Sequence, residues 1–217
     1  MSKIYEVREH AQRKKKGLEK APAVPLPKKY PSNNSKLGME EEMISLYQTI
    51  DSMLSHFPKK VIQFIGSREG EGTSTIIHEF ARVSATKFNK LVLIVDADRR
   101  KPNQHLFHNI KPEHRPACLL VSTKQISDTQ RFGTLWEKFR QRFDFILVDS
   151  PPATSTPDGL SISPKVDGVV LVIEADKTRW PVAESVKAKI VQNGGRILGI
   201  VFNKRRYYIP EFIYKKL

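Results

Sequence analysis

Five short apolar runs, rich in valine and isoleucine, recur through the second two-thirds of the chain. They are VIQFI (61–65), LVLIV (91–95), FILV (145–148), GVVLVIE (168–174) and ILGIVF (197–202). Runs of this length without polar alternation are typical of strands buried on both faces of a parallel sheet. Helices are predicted between them at about 73–88, 131–142 and 180–193. The rhythm predicts an α/β fold with a doubly wound, mostly parallel sheet and helices on both faces.

Ahead of the first run, apolar residues recur at helical spacing over 39–57. Met43, Leu46, Ile50 and Leu54 are three or four residues apart, acidic residues occupy the first turn, and Pro58 follows. This predicts an amphipathic helix that ends before the proline. Residues 1–38 have no such period and contain APAVPLPKKYP, which favours a disordered arm. We therefore expect an arm (1–38), an α/β domain (39–205) and a basic C-terminal tail (206–217).

Charge is concentrated at the two ends of the chain. Of the formal net charge of +14 in 217 residues, residues 1–36 contribute +7 and residues 203–217 contribute +4. Basic tails of this kind suit an anionic membrane surface, an acidic partner or nucleic acid, or they are simply solvated. Nucleic acid is the weaker interpretation, because no aromatic residues are interleaved for base stacking in RKKKGLEK (13–20).

The chain has one cysteine, no secretory leader and no apolar run of the ~20 residues that span a bilayer. We therefore expect a cytoplasmic protein, with peripheral attachment at the inner face of the cell membrane as the alternative that the basic ends allow. His105, His108 and His114 lack the spacing of a metal site and are expected to be solvated or capping residues.

Chemically suggestive residues follow three of the predicted strands. The segments are FIGSREGEGTST, IVDADRRKP and ILVDSPPA, and all three fall on one rim of the predicted sheet. Gly70 and Gly72 would let backbone N–H groups at a helix N-terminus approach a phosphate. Ser74 and nearby carboxylates are suitable Mg²⁺ ligands. Each segment alone is equally typical of turns and helix caps, but their joint occurrence after buried strands predicts a nucleotide site.

The set resembles the bacterial tyrosine kinases (BY-kinases) of capsule and exopolysaccharide synthesis. EGEGTST (69–75), LVLIVDADRRKP (91–102) and FDFILVDSPPA (143–153) stand where that family has its Walker A, A′ and B motifs. The resemblance implies a P-loop fold that binds ATP or ADP with Mg²⁺. It implies catalytic roles for Asp96, Asp98 and Asp149, metal contacts for Ser74, Asp96 and Asp149, and nucleotide contacts for Arg68, Gly70, Glu71, Gly72, Thr73, Ser74, Thr75 and Asn203.

The loop departs from the family pattern at its most important position. Thr73 stands where the family has the P-loop lysine, whose cation neutralises charge on the β- and γ-phosphates. Losing that cation predicts weaker nucleotide binding and a loss of turnover by orders of magnitude. Arg68 is the one basic residue in the loop that could replace it, since related positioning ATPases carry a second lysine at that spacing. The alternative is an exposed arginine opposite Glu69 or Glu71.

Two further family features are incomplete. The oligomerising helix of BY-kinases has the spacing E-x-x-R-x-x-R, and here Glu41 is followed by Ile44 and Tyr47. A homo-oligomer formed through that charge pattern is therefore in doubt, and the helix is expected to pack on its own domain. Tyr207, Tyr208 and Tyr214 stand where the kinases carry their phosphorylated tyrosine cluster, which makes them candidate phosphosites.

Three functions remain open. The first is a regulatory protein of exopolysaccharide or capsule synthesis or export, acting with a membrane polysaccharide co-polymerase (a Wzz-type chain-length determinant) and binding nucleotide weakly or not at all. The second is an active tyrosine autokinase of the same pathway. The third is a partition-type ATPase that binds DNA, which DADRRKP and the tyrosine tail disfavour.

Overall fold

The computed structural model of the protein describes residues 37–98, 118–122 and 132–205. The predicted arm lies outside these ranges apart from its last two residues, Leu37 and Gly38. The three histidines of the central excursion and the three tail tyrosines also lie outside the described residues. No helix of the described ranges is long and apolar enough to cross a membrane.

The described ranges alternate helices and strands. The helices are α1 (Leu37–Met53), α2 (Thr73–Phe88), α3 (Phe132–Arg140), α4 (Pro157–Ile162) and α5 (Trp180–Gln192), with a 3-10 turn at Ser163–Lys165. The strands are β1 (Lys60–Gly66), β2 (Val92–Asp96), β3 (Cys118–Ser122), β4 (Phe145–Ser150), β5 (Gly168–Glu174) and β6 (Ile197–Asn203). All five predicted strands are present, and β3 is an additional one.

The strands form one parallel sheet in the order β3-β2-β4-β1-β5-β6. β1 lies inside the sheet, with β4 on one side and β5 on the other. The chain passes from β1 to β2 and β3 on one side, returns to place β4 between β1 and β2, and then adds β5 and β6 on the other side, which confirms the predicted doubly wound topology. In such sheets the crevice beyond the carboxyl ends of the strands, where the winding reverses, is the usual ligand site.

Helices cover both faces of the sheet. Alternate residues of β1 point to opposite sides: Ile62 and Phe64 pack with the buried residues of α1 and α2, whereas Val61 packs with Trp136 of α3. A third cluster joins β5 to the buried face of α5. The strand interiors are fully buried, which explains why their sequences are continuously apolar.

Helix α1 packs on its own domain, as expected from its apolar stripe. Met43, Tyr47, Ile50 and Leu54 belong to the main core, and the Tyr47 ring stacks on Phe88 with centroids 3.7 Å apart. The helix begins at Leu37 and ends at Met53, so it starts two residues earlier and stops four residues sooner than predicted. Residues 54–56 form a turn after the helix, and the Leu54 backbone N still donates to Ile50 O.

Candidate nucleotide-binding site

The loop between β1 and α2 is shaped by two glycines in the left-handed region. Gly70 has φ +81° and Gly72 has φ +87°, conformations that other residues adopt only with strain. Gly72 is also crowded, because a Cβ added there would lie 2.3 Å from Asn203 Nδ2. The loop backbone therefore favours glycine at both positions, at Gly72 for two separate reasons.

A buried carboxylate holds the loop together. Glu71 is 2% exposed and accepts hydrogen bonds from Ser67 Oγ (2.7 Å), the Arg68 backbone N (2.8 Å) and Thr178 Oγ1 (2.6 Å). The first two bonds close the loop on itself, and the third ties it to the segment after β5. The structure thus assigns the Glu71 side chain to shaping the loop.

The N-terminus of α2 faces the same space. Gly72 caps the helix, and Thr73, Ser74 and Thr75 form its first turn, whose backbone N–H groups have no partner within the helix. No acidic residue stands in that turn, so no side chain of the turn opposes an incoming anion. A helix N-terminus preceded by a glycine loop is the arrangement that binds phosphate groups.

Two neighbouring strands bring the predicted carboxylates to this rim. β2 and β4 pair in parallel with Asp96 opposite Asp149, and both residues are largely buried, at 2% and 7% exposure. Asp96 Oδ1 accepts from the Asp98 backbone N at 3.0 Å, which orders the chain as it leaves β2. Asp98 and Asp149 line the cleft, whereas Asp96 is buried at the end of β2 and does not contribute to the cleft lining.

The loop, the helix N-terminus and these strand ends enclose an open cleft of about 400 Å³. Within the part of the chain that the structure describes, its charged lining comprises four carboxylates and two basic side chains, namely Glu69, Glu71, Asp98, Asp149, Arg68 and Lys204. Backbone dipoles thus favour an anion here while the side-chain charge opposes it. A phosphate ligand in this cleft therefore needs added positive charge.

The end of β6 supplies two contacts to the loop. Asn203 Nδ2 donates to Glu71 O at 2.8 Å, and the Lys204 ammonium donates to Gly70 O. Asn203 is not among the residues that line the cleft; it braces the loop from behind. Lys204 does line the cleft, and its ammonium also lies 3.5 Å from Glu174 Oε2.

The Thr73 side chain points back into the loop. A methyl group added to Gly66 would come within 2.9 Å of Thr73 Oγ1, so the hydroxyl lies against the start of the loop. A hydroxyl there carries no charge, and the cleft lacks the cation that a lysine at this position would provide. Arg68 lines the cleft and is exposed; its backbone N, not its guanidinium, makes the loop's bond to Glu71.

The donor set fits Mg²⁺ held jointly with a nucleotide better than Mg²⁺ held by protein alone. In the described ranges no three His, Cys, Asp or Glu residues are grouped to hold a metal ion. Mg²⁺ in nucleotide sites typically takes only one or two protein oxygens and completes its shell with phosphate and water. Ser74 and Asp149, both on the cleft wall, provide oxygens of this kind.

Sequence reasoning missed Lys204 and Thr178. Lys204 follows Asn203 directly, just after the run ILGIVF (197–202), so its place at the end of a predicted strand was the available signal. Thr178 sits in a loop with no recognisable pattern. Both act on the loop across more than 100 residues of sequence, a distance that no local motif reports.

The chain matches no family model, but it is similar to several curated proteins. It is 24% identical over 167 residues to the putative tyrosine-protein kinase CapB of Staphylococcus aureus, covering 64% of this chain and 73% of that protein. It is 25% identical over 201 residues to the tyrosine-protein kinase CpsD of Streptococcus agalactiae, covering 79% and 87%. It also matches the succinoglycan biosynthesis transport protein ExoP of Rhizobium meliloti, at 24% identity over 71% of this chain and 23% of that protein.

Solved structures show the same fold. The kinase domain of the Escherichia coli tyrosine kinase ETK superposes with a TM-score of 0.66 at 15% identity, covering 90% of this chain and 95% of that domain. An ADP-bound nucleotide-binding protein from Archaeoglobus fulgidus gives a TM-score of 0.53 at 22% identity, covering 79% and 74%.

The sheet order, the glycine loop leading into α2 and the carboxylates at the neighbouring strand ends define a P-loop NTPase fold. Within that class the chain is a BY-kinase-like P-loop protein, similar to tyrosine kinases such as CapB and CpsD in sequence and to the ETK kinase domain in fold.

Proposed function

We propose that the chain is a regulatory BY-kinase-like protein of exopolysaccharide or capsular polysaccharide synthesis or export. In this role it binds ATP or ADP with Mg²⁺ weakly and turns it over slowly, and it acts by contacting a membrane polysaccharide co-polymerase. The observation that carries the proposal is a preserved phosphate cradle whose lysine position holds Thr73, with its hydroxyl turned toward Gly66.

The pathway is supported by the similar proteins. ExoP is named for succinoglycan biosynthesis and transport, and its length is several times the part that matches this chain. The matched part of this chain therefore corresponds to one portion of a larger polysaccharide-transport protein, and this is why we include a membrane co-polymerase as its partner.

Different residues of the cleft would bind the phosphates, shape the loop and hold Mg²⁺. The N–H groups at the start of α2 bind phosphate oxygens, and Glu71 keeps the loop in the shape that presents them. Ser74 and Asp149 would hold Mg²⁺, which supplies positive charge to the β- and γ-phosphates when it is bound. Asp98 lies where it can orient an incoming hydroxyl group. With Thr73 in place of lysine, charge that develops during phosphoryl transfer is poorly neutralised.

Isothermal titration calorimetry with Mg-ATP, together with anti-phosphotyrosine blotting, tests the proposal on wild type and Thr73→Lys. We expect weak binding and no phosphotyrosine in wild type, and binding at least about tenfold tighter in Thr73→Lys, because a cation worth more than about 1.4 kcal/mol is restored. Asp149→Asn in the Thr73→Lys background is the matched control and should lose the gain in Mg-ATP affinity. Absence of binding in every variant would contradict the proposal.

An active tyrosine autokinase is the second candidate, and the exposed Arg68 on the cleft wall favours it. An arginine there could supply the missing cation within the chain or to a neighbouring copy. Wild-type phosphotyrosine that disappears in both Arg68→Ala and Asp96→Asn would establish this activity and overturn the regulatory proposal. Mass spectrometry of the product would show whether Tyr207, Tyr208 or Tyr214 carries the phosphate.

A further inference from the structure

The cleft contains a second cation, Lys204, which comes from the far end of the sequence but from the same rim of the sheet. Lys204 follows β6, and its backbone is in the left-handed region (φ +57°), so the chain turns sharply there. Its side chain runs along the loop: Cε lies 3.8 Å from the position that a Cβ on Gly72 would take, and the ammonium reaches Gly70 O. The charge therefore rests on the loop that should cradle phosphate, three residues before Thr73.

The present partners of Lys204 can release it at little cost. Gly70 is exposed, so water can replace the ammonium at its carbonyl oxygen. Glu174 keeps a second cation, because Lys177 Nζ lies 3.2 Å from the same Oε2 atom. The Lys204 side chain is half exposed, at 48%, and its four-carbon stem is flexible. Nothing in these contacts locks the ammonium away from the cleft.

The charge of the cleft favours a shift of the Lys204 ammonium from its present partners toward a bound phosphate. Among the described residues, four carboxylates and two basic side chains line the walls, so a phosphate group entering the cleft raises the local need for positive charge. Glu174 and a peptide oxygen offer Lys204 one negative charge that is shared with Lys177. A phosphate at the α2 N-terminus offers more charge with less competition, and a charge-assisted bond to it is stronger than one to a carbonyl.

We infer that Lys204 replaces the missing P-loop lysine as a cation for the nucleotide phosphates, swinging from Gly70 O and Glu174 onto the ligand. This inference rests on the proposed function, since it names a residue that makes nucleotide binding possible at that site. It predicts that affinity depends on Lys204 in wild type and loses this dependence once a lysine is restored in the loop.

A double-mutant cycle on Mg-ADP affinity, measured by calorimetry on the full chain, tests the inference. Lys204→Met should weaken binding about tenfold or more, whereas Lys204→Arg should keep most of it. In the Thr73→Lys background the same Lys204→Met change should cost less than about threefold, because the loop cation already serves the phosphates. Equal costs in the two backgrounds, or wild-type affinity in Lys204→Met, would overturn the inference.

Glu174→Gln separates a phosphate contact from mere bracing of the loop. It removes the carboxylate that shares Lys204 but leaves the ammonium in place, so we expect Mg-ADP affinity equal to or above that of wild type. Weaker binding in Glu174→Gln, matching the loss in Lys204→Met, would show that the ion pair only supports the loop and would refute the inference.

The same measurements keep the inference distinct from the proposed function. If wild type shows no Mg-ADP binding while Thr73→Lys binds, Lys204 does not replace the loop lysine and only the inference fails. If neither binds, the cleft is not a nucleotide site and both fail. Thermal unfolding of the Lys204 variants without nucleotide should match that of wild type to within a few degrees, which excludes misfolding as the cause of lost binding.

Discussion

At the scale of single residues, the loop depends on side chains outside the cleft lining as well as on Glu71, which is part of it. Thr178 and Asn203 donate to the Glu71 carboxylate and to its backbone oxygen, and these bonds hold the loop backbone in place. The two left-handed glycines are alike in φ but differ in surroundings: open space surrounds Gly70, and Asn203 presses on Gly72. A side chain at Gly70 would therefore meet backbone strain alone, whereas a side chain at Gly72 would meet both strain and a steric clash.

Replacing these two glycines by alanine should therefore have unequal effects. Gly70→Ala should destabilise the protein by about 1 kcal/mol, the cost of a Cβ in the left-handed region. Gly72→Ala should cost clearly more, since it also breaks the bond from Asn203 to Glu71 O. Urea unfolding of both variants measures the difference. Equal losses would show that the Asn203 contact contributes nothing to stability.

Removing the Glu71 carboxylate should loosen the loop more than the domain. Glu71→Ala leaves a buried Ser67 hydroxyl, the Arg68 N–H and the Thr178 hydroxyl without their acceptor, at a cost of about 1–3 kcal/mol. Thr178→Val removes only one of the three bonds and serves as the matched control. Hydrogen exchange of residues 67–72 should rise strongly in the first variant and slightly in the second.

At the scale of elements, helix α1 uses its apolar stripe to pack into the core of its own domain. Tyr47 stands where the family pattern has an arginine, and it is 5% exposed between α2 and the sheet. Burial raises the pKa of its hydroxyl to about 12, so the ring remains neutral at all physiological pH values. The helix is therefore part of the domain, and at this position it contributes a buried ring to the core instead of a surface charge.

Restoring the family arginine should consequently damage the fold. Tyr47→Arg places a charge in an apolar cluster and removes a ring stacked on Phe88, and we expect a loss of about 3 kcal/mol or more. Gln48→Arg, on the exposed side of the same helix, should change stability by less than about 0.5 kcal/mol. Chemical denaturation compares the two. A stable, oligomeric Tyr47→Arg protein would contradict this account of α1.

Ion pairs at the start of α1 make its docking sensitive to acid. The hydrogen bond from Lys87 is the largest influence on Glu40 and, with Arg82, lowers its pKa below the ordinary 4.5 against the effect of partial burial. Because the pKa is lowered in the folded state, the stabilisation is complete above about pH 4.5 and is lost as pH falls through the folded-state pKa. Glu40→Gln should thus cost up to about 1 kcal/mol at neutral pH and progressively less as the pH falls below 4.5, as measured by unfolding in urea.

Elements whose sequence signals lie within the segment itself were predicted, whereas those that depend on distant contacts or on an ambiguous short run were not. The boundaries of α2 were predicted correctly because a glycine, a polar first turn and a periodic apolar face all lie within the segment. β3 was missed because its five residues CLLVS lie in a long polar excursion, where a short apolar run is ambiguous between core helix and strand. The loop's supports were missed for a different reason: sheet topology, not sequence proximity, brings β6 beside it.

At the scale of the whole molecule, a nearly neutral α/β domain is flanked by strongly basic ends. We propose that the basic N-terminal arm places the domain at the inner face of the cell membrane, where a co-polymerase would be available. Each Lys or Arg of a polybasic segment contributes about 1 kcal/mol of binding free energy near an anionic surface. Several such residues in one arm therefore suffice for reversible attachment.

Deleting residues 1–36 should therefore abolish most sedimentation with vesicles of phosphatidylglycerol and phosphatidylcholine at low salt. Wild type should sediment with them and be released as ionic strength rises, because the attraction is screened. Pure phosphatidylcholine vesicles are the control. Retention on DNA that is lost on the same deletion, without any binding to vesicles, would contradict membrane attachment and favour the partition-type alternative.

The hydrogen bonds from the end of β6 to the loop also determine when, during synthesis and folding, the loop gains its supporting contacts. Asn203 and Lys204 reach back over 132 and 134 residues to Glu71 and Gly70. During synthesis the loop therefore leaves the ribosome long before its supports exist, and contacts of such long sequence separation form late in folding. In a nascent chain, the contacts of Asn203 and Lys204 with the loop can form only after the last strand has been made and has joined the edge of the sheet. A cleft with all of these contacts in place therefore marks a domain whose synthesis has passed its last strand.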